Sequence, residues 1–437
     1  MLLSALFFPV FSQTEYSGEA TLKGMYSTQE DLPFWMYHNK RGRISGNTNV
    51  AGWISGKAIY DIKDNASLEF GGGLLYQNGD SKQVFIDELY AHFKNPWFGL
   101  TAGIKQQEEL YNGLSASNRR TSWSLNARPM PGFRLRISRP TYLFPEDGIG
   151  FEAVWSEYLM GQDRAVSYAR VHQKSFYFVY RPTGNFQIKA GLKHTALWGG
   201  ATSNLGGRAE NFNYYLNVIT AGSIGRDRFG EEEQGSALRK NMGSYELYVT
   251  KTFRHFKAEL IYNHIFENGS GAQFDNAPDG RYGIYLESKD PDRILNSFIY
   301  EFYYTKQRSQ SPEFDNYFNG GVYSSGWTYQ DRVLGVPFFT EDQNGEGIRR
   351  NAFSAHHIGI SGQFSDYFNT FPYKLMLSTV QYEAEAGKFG KQSVFYGDFE
   401  MRVLQSFVDL SFNVSAEFNS LKSPGFGVGL KLRKKLF

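Results

Sequence analysis

The clearest pattern in the chain is a run near the C-terminus in which apolar and polar residues alternate without a break. Apolar residues occupy every second position from Val408 to Phe418, and polar residues fill the positions between them. A strand of about eleven residues extends about 35 Å, enough for a tilted strand to cross the apolar layer of a membrane. This pattern is typical of a strand with lipid on one face and water on the other.

The same alternation recurs along the whole chain, and we find no domain boundary. Since bacterial single-chain barrels use an even number of strands, the tally predicts an all-β fold: a transmembrane outer-membrane antiparallel β-barrel of 18 strands, with 16 as the alternative. The strand-like segments are 15–26, 49–62, 65–77, 82–94, 97–105, 121–128, 131–139, 148–157, 172–181, 184–196, 244–254, 256–267, 281–288, 295–306, 318–330, 354–365, 372–385, 402–419 and 424–434.

The connections between these segments are of two kinds. Short ones such as Asn95-Pro96 predict tight turns at one end of the barrel. Long ones rich in Gly, Asn, Asp, Ser and charge predict extracellular loops that plug the lumen. Within 209–221, the run from Glu210 to Leu216 predicts a short amphipathic helix that constricts the barrel. The predicted long loops are 197–243, 307–317, 331–353 and 386–400.

Composition narrows the function classes. The 437 residues include 38 Phe and 29 Tyr, which suit aromatic girdles at the membrane interfaces, and no cysteine. After the first dozen positions no run of about 18 apolar residues occurs, which excludes helical membrane spans. A net charge of +2 argues against nucleic acid as a partner.

The two ends of the chain carry export features. Residues 1–12 have the apolar core of a signal peptide without a basic start, so we expect this signal to be truncated. Residues 13–437 are then a single barrel domain with long extracellular loops. The terminal Phe437 suits recognition by the barrel-insertion machinery, and outer-membrane lipid is the other expected partner of the wall.

Three stretches, from Gly191 to Gly200, from Asp315 to Trp327 and from Leu334 to Phe339, resemble the outer-membrane capsule-assembly Wzi family as it occurs in Bacteroidetes. The resemblance covers nearly the whole chain after residue 12. It implies an 18-stranded barrel, plugged by its own loops, that acts as a lectin attaching or organising capsular polysaccharide. The enterobacterial branch has a helical bundle ahead of the barrel, which we do not expect here.

Side chains suited to sugars lie near the predicted loops. Aromatic rings stack on the faces of sugar rings, and Arg holds carboxylates with two hydrogen bonds. The alternative for each aromatic residue is a place in the membrane girdle, and for each lumenal charge an ion pair that fills the barrel. The predicted polysaccharide-binding residues are Trp198, Arg208, Tyr214, Tyr215, Tyr323, Trp327 and Arg332, and the predicted lumenal basic residues are Arg134, Arg136, Lys189 and Lys193.

Catalysis finds no support in the sequence. It contains no nucleophile motif such as Gly-x-Ser-x-Gly, and the adjacent His356 and His357 of one strand face opposite sides, so they do not chelate a metal together. We therefore expect no enzyme activity, cofactor or metal. The leading hypothesis is a lectin at the cell surface that binds an acidic capsular or exopolysaccharide. The alternatives are a diffusion channel for small solutes or oligosaccharides, and a structural subunit of a larger outer-membrane assembly.

Overall fold

The computed structural model describes most of the chain. The predicted signal peptide, 1–12, lies outside the described residues, as does Arg208. The described residues are 14–62, 65–137, 140–202, 206–207, 212–220, 239–308, 316–342, 347–367, 369–384 and 390–437.

Within these ranges, eighteen antiparallel strands form one barrel that closes by pairing the first strand with the last. Each strand pairs with its neighbours in chain order, and Thr141–Phe144 continues β6 along the edge of β7. The predicted all-β, 18-stranded barrel is therefore confirmed. The strands are β1 Thr14–Ser27, β2 Val50–Ile62, β3 Ala66–Gln77, β4 Val84–Lys94, β5 Phe98–Ile104, β6 Gly132–Ile137, β7 Ile149–Leu159, β8 Arg170–Thr183, β9 Phe186–Trp198, β10 Arg239–Thr252, β11 Phe256–Phe266, β12 Gly280–Ser288, β13 Ser297–Tyr304, β14 Phe353–Ser365, β15 Thr370–Tyr382, β16 Gln392–Leu404, β17 Asp409–Asn419 and β18 Lys422–Lys435.

The remaining regular elements lie between the strands. Among the described residues, the α-helices are α1 (Phe34–Tyr37) and α2 (Phe212–Ile219). In the described part of the chain, no helix is long and apolar enough to span a bilayer. The smaller elements are the 3-10 turns Tyr111–Gly113 and Gly271–Gln273 and three two-stranded ribbons, in which Ala201–Thr202 pairs with Gly206–Gly207, Thr328–Tyr329 with Arg332–Val333, and Thr340–Glu341 with Ile348–Arg350.

The barrel has two different ends. At the short-turn end, adjacent strands follow each other closely, as between β2 and β3 and between β8 and β9. The opposite, long-loop end carries residues 28–49 and 105–131 and the described residues 199–202, 206–207, 212–220, 305–308, 316–342 and 347–352. Because β1 begins and β18 ends at the short-turn end, both ends of the barrel chain lie there.

Alternation along β17 follows the predicted two faces. Val414 and Phe418 are 48% and 43% exposed on the outer wall, whereas Ser411, Asn413 and Ser415 are buried on the lumenal side. Lipid is the natural environment for the exposed apolar residues of such a wall. The register predicted from the sequence is therefore confirmed for this strand.

Three predictions of local structure were wrong. Segments 121–128 and 318–330 are not barrel strands but folded loops, of which only Thr328–Tyr329 pairs as a short strand. Conversely, the predicted loop 386–400 contains most of β16. Inward-facing Val394 and Tyr396 pack on apolar loop residues, so the first half of β16 is apolar on its inner face and the alternation is weak there.

Three long-loop segments, 28–49, 105–131 and 316–342, fold into the lumen and form what we call the plug. Its centre is apolar and aromatic, as in the core of a soluble domain. Stacked and edge-on rings join the segments, for example Phe34 on Phe338 at 5.9 Å between centroids. The largest plug side chains, all no more than 7% exposed, are Trp35, Trp123, Tyr317, Tyr323, Trp327, Phe338 and Phe339.

The plug is attached all round the barrel wall. Its backbone and side chains reach inward-facing residues of strands that are far apart on the barrel circumference, so it spans the whole cross-section. The predicted plugged lumen is confirmed. The contacts are Arg43 with Asp87 of β4 at 2.6 Å, Ser122 with Lys193 of β9 at 3.0 Å, Tyr111 with Glu259 of β11 at 2.5 Å, Ala116 with Glu301 of β13 at 2.8 Å, Leu114 with His357 of β14 at 2.6 Å, Trp35 with Ser378 of β15 at 3.1 Å and Phe34 with Glu417 of β17 at 3.3 Å.

Candidate functional site

Two of the predicted sugar-binding residues, Tyr323 and Trp327, lie inside the plug. The indole nitrogen of Trp327 donates to the carbonyl of Ser122 at 2.6 Å, and its ring meets Trp123 edge-on at 5.8 Å. The hydroxyl of Tyr323 donates to the carbonyl of Gly199 at 3.0 Å. In this arrangement both rings join loop segments together and present no free face to solvent.

Arg332 lies at a different place in the plug. Its guanidinium carbon is 4.7 Å from the centre of the Tyr37 ring, and its Nη2 donates to the carbonyl of Ile44 at 3.4 Å. Cation–π contacts of this kind stabilise by about 0.5–2 kcal/mol. The half-buried arginine thus attaches the third plug segment to the first.

Trp198, Tyr214 and Tyr215 do come together, but on the outer wall of the barrel. In β9, Leu192 is exposed on the outer wall and Lys193 points inward to Ser122. Because side chains alternate along a strand, Trp198 lies on the same outer face as Leu192. Helix α2 packs on it there, with the Tyr215 ring 5.2 Å and the Tyr214 ring 6.3 Å from the indole. The predicted helix exists, but it does not constrict the lumen.

A polar group lies on the outer wall beneath α2. The carboxylate of Glu157 accepts hydrogen bonds from the Tyr215 hydroxyl at 2.6 Å and from the ring of His172 at 2.5 Å. Burial, together with the bond to Glu157, raises the pKa of Tyr215. The guanidinium of Arg170 sits 5.1 Å from the Trp198 ring. The sequence does carry a signal for this patch, because polar residues occupy strand positions where the alternation predicts apolar ones. The patch was not among the predicted sites.

The structure places all four predicted lumenal basic residues on the inner wall. Lys189 pairs with Glu152, and Lys193 donates to Ser122 in the plug. Arg134 and Arg136 behave differently, since neither side chain makes a hydrogen bond or ion pair with another described residue. The expectation that lumenal charges pair off therefore holds for Lys189 and not for these two arginines.

Below the plug, the lumen is open at the short-turn end. This vestibule has a volume of about 1690 Å³ and is lined mainly by polar and charged side chains of β1–β4, β14–β18 and the plug. Ion pairs bridge parts of its wall, such as Lys105 with Glu69 at 2.8 Å and Arg433 with Glu19 at 2.5 Å. Basic residues outnumber acidic ones in the lining, so the vestibule favours anions.

Electrostatics inside the plug are largely compensated. Burial opposes the charge of Arg119, but Tyr111 and the Glu259 carboxylate, 3.5 Å away, outweigh it and raise the pKa of this guanidinium. Burial also opposes the charge of Glu109, and Lys374 at 3.1 Å holds its pKa below the usual value.

His38 is the exception, because it is buried without a counter-charge. Burial and the nearby Arg332 lower its pKa well below 6.5, while Nδ1 bonds to the Asn126 amide oxygen at 2.7 Å. The unfolded chain binds a proton near pH 6.5 and the folded one does not, so stability falls as pH drops below about 6.5. Between pH 7 and pH 5 the loss should reach about 2 kcal/mol.

Urea unfolding at several pH values measures this loss. His38→Gln should reduce the loss between pH 7 and pH 5 by about 2 kcal/mol, whereas the same change at the exposed turn residue His255 should leave it intact. Equal slopes for wild type and His38→Gln would show that His38 is not responsible.

Comparison with known proteins identifies the architecture. No protein-family model and no curated protein matches the chain. Among solved structures it is similar to Wzi of Escherichia coli, an outer-membrane protein involved in group 1 capsule assembly and described as a carbohydrate-binding β-barrel, with a TM-score of 0.61 and 12% identity over 95% of this chain and 83% of that one. Acinetobacter baumannii OccAB4 matches with a TM-score of 0.51 and 9% identity over 98% and 99% of the two chains.

Pseudomonas aeruginosa OccK5 is similar to the same degree, with a TM-score of 0.50 and 10% identity over 97% of this chain and 98% of that one. At such identities the likenesses concern the fold alone. They support an outer-membrane β-barrel, and they leave its particular role open to more than one interpretation.

Proposed function

We propose that this barrel is a non-enzymatic lectin of the bacterial outer membrane that holds an acidic capsular or exopolysaccharide at the cell surface. The long-loop end faces outward and the short-turn end faces the periplasm. The polysaccharide binds to the outer surface of the long loops rather than passing through the lumen.

The plug is the observation that carries this proposal. It contacts the wall from β4 round to β17, and its core side chains are almost fully buried. A solute path through the long-loop end would have to displace this packed core. Binding at the surface requires no such movement, so it suits the fold better than conduction does.

The likeness to Wzi supports the class of ligand. That barrel is described as carbohydrate-binding and has the highest TM-score of the three structures compared above. In the present chain, accessible aromatic residues lie at the long-loop end, among them Tyr168, which is 53% exposed, and Phe212, which is 71% exposed. Ser167, next to Tyr168, pairs with Ala201 beyond the end of β9, near the Trp198 cluster.

Glycan affinity tests the proposal. Purified protein should bind the acidic polysaccharide of its own strain, and raising salt from 0.1 to 1 M should weaken binding because the Debye length falls from about 10 Å to 3 Å. Tyr168→Ala should lower the affinity about tenfold if its ring stacks on a sugar. Trp97→Ala removes an even more exposed ring, at the short-turn end, and as the matched control it should have no effect.

A deletion strain gives the cellular counterpart. Cells without the protein should still make the polysaccharide but release it into the medium. Unchanged surface polysaccharide in that strain, together with no affinity of the purified protein, would exclude the lectin and favour a structural barrel subunit.

A diffusion channel remains the second candidate, and the open vestibule is the observation in its favour. Planar bilayers separate the two functions. With the plug in place we expect no steady conductance, so a stable, large conductance of the wild-type protein would favour the channel.

A further inference from the structure

Three arginines share a pocket between the plug and the barrel wall. Arg134 and Arg136 come from the lumenal face of β6, and Arg120 comes from the second plug segment. The charges of Arg120 and Arg136 both act on Arg134, and like charges in one small space are costly unless an anion lies between them. Ion pairing that merely fills the lumen does not explain three arginines placed together.

The pocket contains little negative charge of its own. Glu108 is the one acidic side chain among its described lining residues, and it is exposed. Lys105 also lines the pocket, but its ammonium is already 2.8 Å from Glu69. The positive charge of the three guanidinium groups therefore exceeds the negative charge of the pocket lining.

The guanidinium donors of the pocket are largely unused. No side-chain hydrogen bond or ion pair joins Arg120, Arg134 or Arg136 to another described residue, and the Nε of Arg134 is buried without a partner in that part of the chain. Each guanidinium carries five N–H donors in a planar fork that matches a carboxylate or phosphate group. Buried polar groups normally have partners, so the buried Nε of Arg134 points to a ligand, and the half-buried Arg120 and Arg136 share its pocket.

The plug turn that supplies Arg120 is held in place. The Asn118 side chain accepts from the backbone N–H of Leu110 at 2.7 Å and donates to the carbonyl of Glu108 at 2.9 Å. This amide closes the turn two residues before Arg120. The third arginine is thus presented by a fixed backbone and not by a free loop.

The pocket is reached from the short-turn end. His92, Lys105 and Arg136 line both the pocket and the vestibule, so the pocket is a side branch of that open space. Its volume of about 220 Å³ is below the range of about 300–1,000 Å³ typical of drug-sized ligands. It suits one charged group and the small residue that carries it.

We propose that Arg120, Arg134 and Arg136 form a binding site for a single oxyanion group, a carboxylate or a phosphate, that enters through the vestibule. This site lies on the opposite side of the plug from the surface proposed to hold polysaccharide, and it does not depend on that function. Its ligand is either free inorganic phosphate or the carboxylate of an acidic sugar, since each presents at least two negatively charged oxygens that can accept paired N–H groups of a guanidinium.

Calorimetric titration of the full-length barrel in detergent tests the site at 0.15 M NaCl. The probes are inorganic phosphate, glucuronate and, as the neutral control, glucose. We expect at least one of the two anions to bind and glucose not to bind. The anion that binds more tightly shows whether free phosphate or an acidic sugar is the ligand.

Arg134→Gln should weaken anion binding about 10- to 100-fold, because a charge-assisted hydrogen bond contributes about 1.5–3 kcal/mol. Lys94→Gln changes an exposed vestibule lysine outside the pocket and should leave affinity within about twofold.

Urea unfolding without anion gives a second measurement. Arg134→Gln should not lower the unfolding midpoint, since it relieves repulsion among the three arginines, and phosphate or glucuronate should raise the midpoint of the wild type only. Binding that is unchanged in Arg134→Gln, no binding of either anion, or a variant less stable than wild type without anion would overturn the proposal.

Discussion

Glu301→Gln should destabilise the barrel by about 3–5 kcal/mol, because it leaves the guanidinium of Arg281 buried without its counter-charge. The two side chains are fully buried and 3.0 Å apart. Glu301 also accepts from the Ser115 hydroxyl at 2.7 Å and from the Ala116 backbone N–H at 2.8 Å, so it holds the second plug segment on β13. Urea unfolding followed by tryptophan fluorescence measures the loss.

Two comparisons make this test specific. The double variant Arg281→Met with Glu301→Leu should be more stable than Glu301→Gln alone, since replacing both charges with apolar groups removes the unpaired one. Asp290→Asn breaks an exposed pair with Arg293, 3.5 Å apart, and should change nothing measurable. If Glu301→Gln is as harmless as Asp290→Asn, the buried pair does not anchor the plug.

Val414→Arg should destabilise by about 2–4 kcal/mol, the cost of a charge near the middle of the lipid-facing wall. Val414 is the central residue of β17 and is 48% exposed on the outer face. Refolding in lipid vesicles and the heat-dependent mobility of the folded barrel on a gel report the loss.

Leu410→Arg is the matched control on the same face of the same strand. Leu410 lies next to the short-turn end of β17, where an arginine side chain reaches the interface, so the cost should be about 0–1 kcal/mol. Equal costs at the two positions would mean that the outer face of β17 does not cross the apolar layer with Val414 at its centre.

The sequence predicted the barrel wherever the two faces of a strand meet different surroundings. In β17, lipid on one side and small polar side chains on the other give a strict period of two, so both the strand and its register were predictable. The likeness to the Wzi family, noted from three short stretches, agrees with the structural comparison at the level of the fold.

Predictions failed where the plug touches the wall. Inward-facing Val394 and Tyr396 pack against loop residues, so the inner face of the first half of β16 becomes apolar and the alternation fades there. The reverse error arose in 121–128, where buried Trp123 and Leu125 alternate with smaller residues and imitate a strand. A local pattern reports burial, and it does not tell whether lipid or a plug provides that burial.

The candidate site was predictable in composition but not in arrangement. Trp198 and Trp327, predicted to share one sugar-binding surface, lie in separate clusters, one under α2 on the outer wall and one inside the plug. Which residues converge depends on where the long loops fold. The arrangement around Arg134 and Arg136 depends likewise on where the second plug segment folds and places Arg120.

The plug also constrains the order in which parts of this protein can fold. Its first segment is synthesised early, yet Trp35 and Phe34 find their partners on Ser378 and Glu417, 343 and 383 residues later. Until those last strands arrive, the aromatic side chains of 28–49 and 105–131 have no wall to pack on, and exposed apolar loops of this kind invite aggregation. We therefore expect the chain to need protection by a chaperone until its C-terminal third is in place, and closure of β1 on β18 to coincide with burial of the plug.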